Sequence, residues 1–186
     1  MDMIGDNAAN LGMVCSVCGR GLKPFGNRRL RDGVMCRVCN GLISPWLIDA
    51  ELAQMTAEDV RKHLEEREAN KARFESFSSD RVVEGRYTLR IDDTERCFCF
   101  DRNGRNPDIV ALDDIDLIAI YEQPYPDSED SLDVGFSIGV NHQKFRTIRF
   151  RLNEFPGIQK GSEEYSKAYA LGLSYMNALL DKEVEK

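Results

Sequence analysis

A chain of 186 residues with a formal charge of −7 has room for one full-sized domain and a small accessory module, but not for two large domains. Its 42% hydrophobic and 31% charged residues fit a globular protein, and the acidic balance argues against general polyanion binding by the whole chain. The opening MDMIGDNAANLGMVC lacks the basic start and apolar run of a secretory signal, and no stretch approaches a membrane span, so a cytoplasmic location is expected.

In chain order, the first strong pattern is Cys15-Ser16-Val17-Cys18 and Cys36-Arg37-Val38-Cys39. Each C-x-x-C can curl both sulfurs toward one point, and the separation of the two pairs suits paired zinc knuckles. Cys15, Cys18, Cys36 and Cys39 therefore read as the ligands of one structural Zn2+ ion, a closed four-thiolate shell with no position open for a catalytic water. Two disulfides and an iron site of the rubredoxin type are the competing readings, the first disfavoured by the missing secretion signal. Between the pairs, Gly19 and Gly21 permit a tight backbone after the first knuckle. Asp32-Gly33 can turn a hairpin, and the second knuckle would lead into a helix. Through Ile43 the segment carries six basic and three acidic residues, leaving the rest of the chain at −10. Arg28, Arg29, Arg31 and Arg37 give the hairpin its basic character.

The run CSVCGRGLKPFGNRRLRDGVMCRVCNGLI, with its leading C-x-x-C-G, basic hairpin, L-R-D-G turn and closing C-x-x-C, resembles the bacterial zinc-ribbon family of the domain of unknown function 4428. The resemblance covers residues 15 to about 43. It implies a metal site of the treble-clef or zinc-ribbon kind in a bacterial or phage protein and supplies no activity.

Residues 44–79 read as a helical connector. Ser44-Pro45 offers an N-cap and a first-turn proline for a short apolar helix beginning Trp46-Leu47-Ile48, with Trp46 docking on the metal module. Thr56-Ala57-Glu58-Asp59 resembles a capping box and opens a second helix. There Arg61/Glu65, Lys62/Glu66 and Lys71/Glu75 stand four apart, and apolar residues thin out after Leu64, as in a solvated bridging helix. His63, among these charges, reads as a surface histidine.

The pattern changes near residue 80, so the expected domains are 1–43, 44–79 and 80–186. Strand-like runs follow at 81–84, 86–91, 95–100, 108–112, 115–122, 132–140 and 144–152. Asp92-Asp93, Asn103-Gly104 and Asn141-His142-Gln143 mark turns between them. Leu132, Val134, Phe136, Ile138 and Val140 alternate with Asp133, Gly135, Ser137 and Gly139, as in a half-buried antiparallel strand. Cys97-Phe98-Cys99-Phe100 reads as a central strand buried on both faces, its thiols on one side. The last element, opening at Ser162-Glu163-Glu164, carries Tyr165, Ala168, Tyr169, Gly172, Tyr175, Met176 and Leu179 at helical spacing, with Gly172 allowing close approach to a sheet. The expected class is α+β: a small zinc module, a helical connector, and an antiparallel seven-stranded barrel or sandwich with a C-terminal helix. In element order the last domain resembles the pleckstrin-homology-like fold.

The carboxylates Asp92, Asp93, Glu95, Asp113, Asp114 and Asp116 fall in expected turns and read as solvated, and the acidic stretch around Tyr125 reads as a connector. With no catalytic constellation in sight, the expected role is that of a noncatalytic interaction or adaptor protein with protein partners. Nucleic-acid binding through Arg28, Arg29, Arg31 and Arg37 is the second reading. The third is membrane-lipid binding by the larger domain through Arg81, Arg86 and Arg90.

Overall fold

The computed structural model describes residues 13–102, 108–125 and 130–180. The expected turn at Asn103-Gly104 and the loop residues 126–129 lie outside that range. The backbone gathers into two compact units that divide inside a helix, between Ala72 and Arg73.

In the first unit, β1 (Arg28–Leu30) and β2 (Gly33–Met35) pair antiparallel with Leu30 opposite Gly33. The turn is thus Arg31-Asp32, one residue ahead of the expected Asp32-Gly33. Gly33 serves a different purpose: a Cβ there would lie 2.0 Å from Ser16 Oγ. Its absence lets the Ser16 N–H donate to the Val34 carbonyl and the Val34 N–H donate to Ser16 Oγ, fastening the first knuckle to the hairpin.

Three helices follow: α1 (Arg37–Asn40), α2 (Asp49–Leu52) and α3 (Ala57–Glu75). The helix expected from Ser44-Pro45 does not form there. Ser44 Oγ accepts the Trp46 N–H at 3.2 Å and closes a turn, and the chain becomes helical only at Asp49. The start of α3 is as expected, with Thr56 Oγ1 accepting the Asp59 N–H at 3.1 Å and Asp59 Oδ2 accepting the Thr56 N–H at 2.8 Å. A further cap arrives from the hairpin turn, where Asp32 Oδ1 accepts the Ala57 N–H at 2.8 Å.

The reading of α3 as a solvated helix holds for only one of its faces. Ala57, Val60, His63 and Arg67 are buried, because polar side chains occupy positions that helical spacing turns inward. His63 is therefore a buried histidine, and its Nε2 accepts the Ser44 N–H at 3.1 Å. Arg61 and Lys71 pair with Glu58 and Glu68, each three residues back. Leu30, Met35, Ile43, Trp46, Leu47, Leu52 and Val60 are the largest of the unit's buried apolar residues.

The second unit contains two antiparallel four-stranded sheets. One runs β3 (Arg81–Val83), β4 (Thr88–Asp92), β5 (Cys97–Asp101) and β6 (Val110–Ala111), each pairing with the next. A single 3-10 turn, Leu112–Asp114, leads into the other. There β8 (Ser131–Val140) lies between β7 (Ile115–Pro124) on one side and β9 (Thr147–Arg151) and β10 (Ile158–Gln159) on the other. Each expected strand has a counterpart, and β10 is additional. The strands do not close into a barrel among the described residues: β6 is two residues long and pairs only with Cys97 and Phe98, after which the chain departs for the second sheet.

The core is aromatic. Phe100 on β5 lies edge-on to Phe136 on β8, Phe150 on β9 and Tyr175, with ring centroids 6.2, 5.0 and 5.5 Å apart. Tyr175 belongs to α4 (Glu163–Leu179), which Ser162 caps by accepting the Tyr165 N–H at 3.1 Å. Ala168, Gly172, Tyr175 and Leu179 form the helix's buried stripe. A Cβ on Gly172 would come within 2.9 Å of the Ile120 side chain, the close approach expected of this glycine. On the opposite face of β5, Cys97 and Cys99 cluster with Ile109 under Phe74 and Phe77. Among the described residues no helix is long and apolar enough to cross a membrane.

Candidate metal centre

The first knuckle is a tight loop in which the Gly19 N–H donates to the Cys15 carbonyl at 2.8 Å and the Cys15 N–H to the Arg20 carbonyl at 2.7 Å. Closing it requires Gly19 at φ +72°, a conformation that disfavours any residue with a Cβ. The second knuckle enters α1, whose N-cap is Cys36; its sulfur accepts the Cys39 N–H at 3.5 Å.

These two turns converge. The sulfurs of Cys15, Cys18, Cys36 and Cys39 all lie within 4.8 Å of one another. Cys15 and Cys39 are 3.9 Å apart and Cys18 and Cys36 are 3.8 Å apart. The Cys36 N–H also donates to Cys15 Sγ at 3.2 Å, so backbone dipoles point at the cluster. Burial opposes ionisation of Cys15, but N–H groups of Cys18, Cys36 and Val17 outweigh it and bring that thiol down to about 6. Burial and the neighbouring sulfurs push Cys39 up. Such an arrangement holds negative charge poorly without a cation, and the four cysteines together could hold a metal ion. Cys15, Cys36 and Cys39 are buried and Cys18 lies at the surface.

Residues 14–63 match the family model described as Domain of unknown function (DUF4428). The DUF4428 segment thus contains all four cysteines and ends on His63, the residue that accepts the Ser44 N–H. No curated protein and no solved structure matches the chain. One contributor to the DUF4428 segment escaped sequence reading. Arg61 on α3 donates through Nη2 to the Ser16 carbonyl at 2.6 Å and through Nε to the Val17 carbonyl at 3.1 Å. It therefore grips the two residues between the first pair of cysteines from forty-odd positions away, a distance across which no spacing rule operates.

The remaining candidate groups are dispersed or structurally engaged. Cys97 and Cys99 are buried as expected, and burial raises both thiols, Cys99 to about 12. Asp92, expected in a solvated turn, is buried and accepts the Ser78 and Glu95 N–H groups. Asp93 pairs with Arg81, and Asp113 pairs with Arg96 at 2.8 Å. His142 sits in a turn as expected, its Nδ1 accepting the Lys144 N–H and its ring stacked on Phe145. The Tyr125 N–H donates to the Ser131 carbonyl. Of the basic residues considered for phosphate or lipid contact, Arg28 pairs with Asp49 at 3.2 Å, Arg81 with Asp93, and Arg90 with Asp101 at 3.7 Å. Arg29, Arg31, Arg37 and Arg86 are exposed.

Proposed function

We propose that Cys15, Cys18, Cys36 and Cys39 bind one structural zinc ion and that the protein is a noncatalytic interaction or adaptor protein. A single observation carries the metal assignment. Four sulfurs about 2.3 Å from a central zinc define a tetrahedron with edges of about 3.8 Å; Cys15–Cys39 and Cys18–Cys36 are 3.9 and 3.8 Å apart, and every sulfur lies within 4.8 Å of the others. Bound there, zinc supplies a covalent-strength cross-link between the two knuckles; four thiolates leave no site for a reacting water. The residues around it then serve as a presented surface, on which Phe25, Val38, Leu42 and Ile48 are exposed large apolar side chains.

Metal analysis of aerobically purified protein should return one equivalent of zinc and none from Cys36→Ser. Less than about half an equivalent in soluble, folded protein counts against the assignment. Affinity capture with the same pair of proteins tests the adaptor reading, which predicts partners lost from the Cys36→Ser sample. Nucleic acid recovered with intact protein, in a salt-sensitive manner, would favour the basic hairpin instead.

For the second unit we retain a pleckstrin-homology-like reading. It is supported by one four-stranded antiparallel meander followed by a second meander and a C-terminal helix on the sheet. Lipid binding by this unit is the weaker reading, because Arg81 and Arg90 are engaged in internal ion pairs. Cosedimentation with anionic vesicles at low salt would restore it.

A further inference from the structure

Between β9 and β10 the chain makes a short loop, 152–157, whose backbone is pinned by polar side chains. Asn153 is buried; its Oδ1 accepts the Val134 N–H at 2.9 Å and its Nδ2 donates to Asp133 Oδ1 and to the Phe155 carbonyl. Asp133 Oδ1 also accepts the Gly157 N–H at 3.0 Å. Arg151 donates to the carbonyls of Asn153 and Glu154 and pairs with Asp133 Oδ2 at 3.6 Å. Burial opposes ionisation of Asp133, but Asn153, the Gly157 N–H and Arg151 outweigh it and hold that carboxyl below its usual range, so the network is ionised and intact at neutral pH.

What this pinned loop presents is apolar. Phe155 is 69% exposed. A single exposed phenylalanine is ordinary on a protein surface, but here the backbone around it is fixed and the ring borders a cavity of about 420 Å³. Leu152, Phe155 and Ile158 line one side of that cavity, and Ala168 and Leu171 of α4 line the other. Leu152 and Ala168 are buried, while Ile158 and Leu171 are half-buried. By helical spacing, Ala168 and Leu171 lie on the flank of α4 away from Tyr165 and its bond to Glu122 of β7. A preformed concavity of this volume, with apolar walls and a few polar groups at its mouth, is of the size that takes small molecules.

Charge selects the occupant. The charged residues lining the cavity are Glu154, Glu164 and Lys167. Lys167 is answered by Glu163 at 2.6 Å, whereas neither Glu154 nor Glu164 has an ion-pair partner among the described residues. The mouth therefore carries an excess of negative charge. The positive end of α4 does not reverse this, because Glu163 and Glu164 already occupy its first turn and leave little for a further anion to gain there.

We propose that the cavity between the 152–157 loop and α4 binds a small amphipathic amine. Its apolar body fills the space among Leu152, Phe155, Ile158, Ala168 and Leu171, and its protonated nitrogen stays at the mouth beside Glu154 and Glu164. The Asn153, Asp133 and Arg151 network holds Phe155 in place before the ligand arrives, so little ordering cost is met on binding. This function is separate from the metal centre and from the adaptor reading, and depends on neither.

The test is an NMR titration of the full-length, isotope-labelled protein at neutral pH and low salt with octylamine, octanol and octanoate, which share a chain and differ in head-group charge. Octylamine should bind with a Kd of about 1 mM or tighter, shift the resonances of Leu152, Phe155, Ala168 and Leu171, and bind ahead of octanol, with octanoate last. Phe155→Ser should weaken octylamine at least about fivefold by removing one apolar wall. Glu154→Gln/Glu164→Gln should weaken octylamine about two- to fivefold, as expected for exposed charge pairs, and leave octanol unchanged. All three side chains are exposed, and unaltered resonances from the β8 core would show that the variants are folded. No binding, shifts that map elsewhere, equal affinity for the three probes, preference for octanoate, or indifference to both variants overturns the proposal. So do concentration-dependent shifts at Phe155 in protein alone, which would assign the cavity to a side chain of a second copy.

Discussion

The two units bury their interiors by different means. In the second, four aromatic rings from two sheets and a helix meet around Phe100, and the backbone groups around them are answered by sheet ladders. In the first, two strands of three residues, two helices of four and one face of α3 surround an interior in which Trp46 is, apart from the His63 imidazole, the one buried aromatic ring among the described residues. Its order depends on convergent sulfurs and on single polar contacts that each fix a specific turn. Such a unit is fragile at individual atoms, whereas an aromatic core is fragile in proportion to the volume removed.

The strongest way to break this comparison is to remove the proposed zinc ion. Chelation or Cys36→Ser should abolish ordered structure through residue 63 while the second unit keeps its amide protection, because structural zinc contributes on the order of 10 kcal/mol to such modules. Loss of both units together, followed by NMR, would show that they are not energetically separate. Next in size, Phe136→Ala should destabilise the second unit by about 3–5 kcal/mol and leave zinc stoichiometry unchanged, as denaturant melts and metal analysis would report. His63→Ala should cost the first unit about 1–3 kcal/mol by leaving the buried Ser44 N–H without its acceptor. A smaller loss for His63→Gln, which can restore an acceptor, would sharpen that assignment.

The smallest effect concerns pH. Burial raises Cys99 to about 12 in the folded state, above its unfolded value. Its contribution is therefore intact below about pH 8.5 and declines as pH rises from there toward 12. Thermal melts between pH 8 and 10 should show the second unit weakening with pH in the native protein and less so in Cys99→Val. Equal slopes would place the alkaline sensitivity elsewhere.

The sequence was most legible where chemistry or alternation imposes a period. Two C-x-x-C pairs announce a shared ligand, and Val134, Phe136, Ile138 and Val140 announce a sheet face. It was least legible where a polar residue takes an apolar slot. Val60, His63 and Arg67 keep helical spacing, yet composition alone assigns the last two to solvent. Ser44-Pro45 carries the residues of a helix start, but its hydroxyl satisfies a nearer donor at Trp46. β10 consists of Ile158 and Gln159, too short for any period, and exists because β8 extends beyond β9. The unclosed sheets follow from β6 being only two residues long, which no count of strand-like runs reveals.

The attachments of α3 have a consequence for how the protein is made. All four cysteines leave the ribosome before Ala57, whose N–H Asp32 caps, and before Arg61, which holds the carbonyls of Ser16 and Val17. During synthesis the two knuckles therefore emerge as a loose loop, able to meet the proposed ion before α3 is made, and the contacts that lock them arrive some twenty residues later.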